Sequence, residues 1–160
     1  MLEGVYFFGG KNAKGELLNK MHYLKCKMID DRISSAEWFK IQKIQGEPPC
    51  GRTGHGMLFL PSCSAIVIVG GRNDQECKNM NIPFLDDMHL FMLDQKAWVK
   101  LKYIPKSMHL CRISQHSMCA LTSQDRDQRF VIFGGINNHK DKGKASLSNH
   151  AFVVEIVNII

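Results

Sequence analysis

Three apolar runs in this chain end in a glycine pair: "VYFFGG" at Gly9 and Gly10, "IVIVGG" at Gly70 and Gly71, and "FVIFGG" at Gly134 and Gly135. The pairs lie 61 and 64 residues apart. A fixed period of this length constrains the fold strongly, because each repeat must be one supersecondary unit that buries its apolar face against its neighbours. Both tryptophans, Trp38 and Trp98, keep the same spacing. His55 follows the first by 17 residues, in "HGM", and His116 follows the second by 18, in "HSM". A third segment recurs between doublet and tryptophan, as "LNKMHYLKC", "LDDMHLFML" and "LSNHAFVVE".

The runs before the doublets are rich in Val, Ile and Phe and only five to seven residues long, which favours buried strands over helices. One local signal points elsewhere: "SSAEWF", Ser34 to Phe39, has the form of a helix-start capping box. Its counterpart "DQKAWVKL" looks like a tight turn into a strand, and agreement between repeats takes precedence. A strand is therefore expected at Trp38 as well as at Trp98.

The order of "GEPPCGRTGHGM", "IVIVGG", "LDDMHLFMLD" and "AWVKL" resembles a kelch repeat, the blade unit of kelch β-propellers. The resemblance covers nearly the whole chain. It implies an all-β fold of about three four-stranded blades in a partial ring. Residues 1–160 would form one partial propeller: a blade over 1–44 lacking strand 1, one over 52–101 that is complete, and one over 112–160 lacking strand 4. The repeats are about 60 residues, longer than the roughly 50 of kelch. Arg112 precedes His116 by four residues where Arg52 precedes His55 by three, so these arginines match only with a one-residue shift.

Gly9, Gly10, Trp38, His55, Gly70, Gly71, Trp98, His116, Gly134 and Gly135 are read as structural. Glycine pairs allow positive φ and close backbone approach. The indoles fill space between blades, and Arg52 and the histidines are placed to satisfy leftover backbone carbonyls. No catalytic residue is assigned. Two Cys-x4-His pairs, Cys50/His55 and Cys111/His116, could nominally bind zinc, but they recur in successive repeats and would lie on different blades. No metal or cofactor is expected, and no nucleophile elbow or triad is present.

What remains is binding by loops. The 2–3 and 4–1 connections of a propeller emerge on one face and here span Arg72 to Phe84, Ile136 to Ser146, Gln45 to Gly51 and Tyr103 to Cys111. They carry the partner-binding candidates Arg52, Arg72, Asn73, Arg112, Asn137 and Asn138. The net charge of +6, from 21 basic and 15 acidic residues, favours an acidic protein segment as the ligand, because arginine forks match carboxylates. The lysines are too scattered for a nucleic-acid stripe, and no apolar run is long enough to span a bilayer.

The expected function is a non-enzymatic scaffold for protein–protein interaction. Its alternatives are a metal-dependent oxidoreductase of the galactose-oxidase type, or the substrate-recognition part of a ubiquitin ligase complex. Six dispersed cysteines and no signal segment point to the cytoplasm, and the family resemblance adds the cytoskeleton or a cilium. Three blades are too few to close a ring. A further chain or segment is expected to complete it.

Overall fold

The computed structural model describes residues 4–102, 112–121, 128–141 and 144–157. In chain order, β1 (Val5–Phe8), β2 (Met21–Ile29) and β3 (Arg32–Lys40) form an antiparallel sheet, blade I. Blade II is four-stranded: β4 (Gly56–Leu60), β5 (Ala65–Val69), β6 (Met88–Met92) and β7 (Ala97–Leu101) pair in sequence. The short β8 (Ile113–Ser114) precedes blade III, whose strands β9 (Ser117–Leu121) and β10 (Arg129–Phe133) pair with the later β13 (Ala151–Glu155). Between them β11 (Ile136–Asp141) and β12 (Lys144–Leu147) form a hairpin whose base pairs with β8. The segment Ile136 to Ser146, expected as a loop, is thus largely strand. β11 and β12 pair with each other once β8 fixes the base at Ile136 and Asn137.

Trp38 lies on β3, opposite Leu24, and Trp98 on β7, opposite Phe91. The capping-box cue at Ser34 is overridden, because β3 pairs with β2 at eight positions on both sides of Ser34, which sits at an irregularity in the register.

The core consists of the two seams between blades. All five residues of β5 are buried, since both faces of blade II are covered. Ile66 and Ile68 meet Phe8 and Met21 of blade I, while Val67 and Val69 meet Phe130 and Ile132 of blade III. Trp98 closes the first seam, with its ring 5.2 Å from Phe8 and 4.9 Å from Phe91. Its counterpart Trp38 lies on the opposite face of blade I, 61% exposed, and Phe133, which repeats the place of Phe8 in blade III, is 54% exposed.

The glycine pairs make these seams possible. All six glycines of the doublets have positive φ. At Gly70 a Cβ would stand 2.5 Å from the Ile113 carbonyl oxygen, and at Gly71, where φ is 105°, it would stand 2.9 Å from the His55 Cβ. The Gly71 N–H donates to that same Ile113 carbonyl at 2.8 Å, and the Gly10 N–H likewise donates to the Arg52 carbonyl at 2.8 Å. The first two doublets therefore dock onto the entry segment of the next blade through Gly9 and Gly70, where a Cβ would stand 2.7 Å from the Arg52 carbonyl oxygen and 2.5 Å from that of Ile113, contacts no side chain would permit.

Candidate functional site

The entry to blade II begins at buried Pro49 and turns through Cys50 and Gly51 to Arg52. Arg52 is fully buried. Its Nη1 donates to Asp87 Oδ1 at 2.6 Å and to the Gly70 carbonyl at 2.9 Å, and its Nη2 donates to Asp87 Oδ2 at 2.8 Å. Nε reaches the Cys50 carbonyl at 3.1 Å and Nη2 also approaches the Cys50 Sγ at 3.4 Å. All five N–H groups are engaged, so this guanidinium has none left for a partner segment. Burial alone would raise the Asp87 carboxyl, but the paired hydrogen bonds from Arg52 outweigh it and lower its pKa. His89 stands 3.5 Å away, and burial keeps it neutral beside the carboxylate.

Arg112 does not repeat this arrangement. Ile113, 61 residues after Arg52, takes its place in blade III and is fully buried. Arg112 turns toward the loop ahead of β6, donating from Nη1 to the Phe84 carbonyl at 3.1 Å, with Met80 Sδ beside it and Asp86 at 4.0 Å. The one-residue offset in the sequence is thus a real change of environment.

Of the two candidate asparagines that follow doublets, Asn73 braces its own loop, whereas Asn137 lies in a strand. Asn73, 5% exposed, donates from Nδ2 to the Gly51 carbonyl, and its Oδ1 accepts from the N–H groups of Gln75 and Glu76 at 2.9 and 3.0 Å. Asn137 occupies the same step after Gly135 and is buried at the base of β11. Asn138 lies in β11, with its side chain outside the described residues, as is the whole of the expected loop Tyr103 to Cys111. Among the five candidates whose side chains are described, Arg72 alone is well exposed, at 50% by side chain, and it grips Asp74 at 2.7 Å. Replacing Asn73 with alanine removes three hydrogen bonds from a buried site. We expect it to cost about 2 kcal/mol and to speed amide exchange over residues 73–83, measured by hydrogen–deuterium exchange, while strands β5 and β6 keep their protection.

His55 and His116 lie where the entry segments of blades II and III run side by side, joined by the Gln115 N–H to the Gly54 carbonyl at 2.7 Å. Among the described residues both nitrogens of His116 and Nδ1 of His55 lack a hydrogen-bond partner, so His116 is not the carbonyl donor expected from the sequence, and both rings fill space against Gly135, Gly71 and Phe8. Burial, first of all, pushes each pKa down to about 4; for His55 the charge of Arg52 adds to the effect.

Among the described residues no three His, Cys, Asp or Glu side chains converge as metal ligands would. Cys50 is turned to Arg52, Cys111 lies outside the described residues, and the paired histidines face each other across blades.

The model of the KLHDC2/KLHL20/DRC7 Kelch-repeats domain matches residues 2–155. The chain belongs to this kelch family. The solved structure of YjhT superposes with a TM-score of 0.59 over 96% of the present chain at 14% identity, a likeness of fold alone. The chain spans 40% of the length of that structure's chain. No curated protein matches the sequence.

Within this kelch chain, two kinds of residue escaped sequence reasoning. One is Asp87, the carboxylate that holds Arg52. It lies in the recurring polar lead "LDDM", and a buried arginine's need for a carboxylate could have singled it out. The other is the residue two places beyond each doublet. "GGKN", "GGRN" and "GGIN" carry an asparagine every time. In blade I, Asn12 Oδ1 accepts from Lys14 and Glu16 N–H groups at 3.0 and 2.9 Å, a clamp that shares with Asn73 the bond to the second residue onward. Extending the repeat by two letters would have exposed it.

Proposed function

We propose that this kelch chain is a non-enzymatic interaction module that holds a segment of another protein on the face where its 2–3 loops and 4–1 crossovers emerge. The observation that carries this reading is the construction of the loops: asparagines clamp their backbones from within while charged side chains, Lys11, Lys14 and Arg72 among them, remain exposed. A braced loop loses little conformational freedom on binding, which favours affinity. The Arg72–Asp74 pair is half exposed and exposed pairs are weak, so an incoming carboxylate can exchange with Asp74. Together with the net charge of +6, this favours an acidic ligand segment.

A substrate-recognition role in a ubiquitin ligase is a narrower form of the same activity and would use the same face. The proposal also includes a cytoplasmic setting and completion of the ring by another chain or segment, supported by the apolar faces that blades I and III turn outward.

The test is affinity capture with Lys11→Glu/Arg72→Glu. These exposed changes leave the blades intact, unlike any change at Arg52. Proteins retained by the unmodified chain should fall about tenfold or more. Capture that is unchanged would remove the loop face from consideration.

A further inference from the structure

Blades I and II are sealed near Phe8 but part along their outer seam, where the crossover after β3 runs down to β7. A cavity of about 330 Å³ opens there. Met21, Ile41, Ile44 and Trp98 line it, and Lys20 and Lys40 also border it. Met21 and Trp98 are 2% and 6% exposed, whereas both lysines are exposed.

The wall is fixed in place. Gln45 exchanges backbone hydrogen bonds with β7, its N–H donating to Lys96 and its carbonyl accepting from the Trp98 N–H, both at 2.9 Å. Gly46, at φ 73°, presses so close that a Cβ would stand 2.5 Å from the Trp98 carbonyl oxygen. The volume is at the small end for ligand sites, enough for one or two side chains. Its lining is mainly apolar, and among the described residues neither lysine is ion-paired.

We propose that this seam cavity seats one large apolar side chain of a partner protein's linear segment, with carboxylates beside it on Lys20 and Lys40. This rests on the reading of the chain as an interaction module; the cavity is walled in part by a 4–1 crossover of that face, through Ile41, Ile44 and Gly46, and its lining includes neither Lys11 nor Arg72. Two unneutralised ammonium groups bordering an apolar pocket complement an acidic–apolar–acidic sequence. The chain's own mixed acidic and apolar stretch "FLDDM" has the opposite order, and it is unavailable to a second copy, since Asp87 is held by Arg52 and Met88 is buried.

The probes are fluorescein-labelled peptides Glu-Asp-Phe-Glu-Asp, Glu-Asp-Ala-Glu-Asp and Lys-Lys-Phe-Lys-Lys, followed by anisotropy. The first should bind about tenfold or more tightly than either of the others, weaken by a similar factor against Lys20→Glu/Lys40→Glu, and weaken further at about 0.5 M salt. In Trp38→Phe, which leaves Trp98 as the sole indole, binding of the unlabelled peptide should shift tryptophan emission. Equal binding of the Phe and Ala peptides, no effect of the lysine reversals, or no binding at about millimolar peptide overturns the proposal. Loss of peptide binding in Lys11→Glu/Arg72→Glu would move the site to the 2–3 loops that carry those residues, overturning the seam and leaving the loop reading intact. Self-association abolished by the lysine reversals alone would make the occupant a second copy, which also overturns it.

Discussion

Asp87→Ala is expected to destabilise the fold by about 3–5 kcal/mol, the scale for leaving one member of a buried ion pair unmatched. The cause is specific. Arg52 has no exposure to water, and two of its five hydrogen bonds end on this carboxylate. Removing the acceptor leaves a guanidinium that can neither hydrate nor deprotonate. Blade III does without the ion pair, because buried Ile113 occupies the place of Arg52 and His150 that of Asp87. Arg52→Ile/Asp87→Leu should therefore recover more than half of the loss. Urea midpoints of the three proteins decide it: a single variant within about 1 kcal/mol of the parent, or a double variant no better than the single, would show that the pair matters less than its burial implies.

Acid should weaken the protein well before its carboxylates titrate. His55 and His116 have folded pKa values near 4 against 6.5 when unfolded. Between those values the unfolded chain binds more protons, so stability falls as pH falls. The histidine contribution is fully present above about pH 6.5 and gone near pH 4. At roughly 1.4 kcal/mol for each pH unit in that window, each ring removes about 3 kcal/mol. Asp87, whose pKa is lowered from an ordinary 3.8, adds its loss only below that range. Urea midpoints at pH 7.5, 6, 5 and 4 should drop steadily, and His116→Gln should flatten part of the slope. A midpoint unchanged from pH 7 to 5 would mean that these rings gain access to water without unfolding.

The blades were legible because their signals repeat. A glycine pair, an indole or a histidine means little once, but at a constant interval each becomes evidence for the others, strong enough to outweigh the helix cue at Ser34. The loops were less so, because polarity reads alike whether a side chain faces a partner or its own backbone. Asn73 and Arg52 are polar loop residues by sequence, yet both are buried and spent on internal carbonyls or a carboxylate. Exposure depends on what the chain folds over them, which one repeat's letters do not record. Arg112 shows the reverse: the position equivalent to Arg52 holds Ile113, which points inward, and the arginine one place earlier is turned outward.

The joint between blades I and II is asymmetric: an indole from one sheet caps a phenylalanine on the other. Trp38 and Phe133 present those same two halves, unmatched, on opposite flanks. Such surfaces are plug and socket rather than mirror images, so any body added here must arrive with a fixed polarity. Contacts of this kind extend in one rotational sense and terminate only when the turn comes full circle.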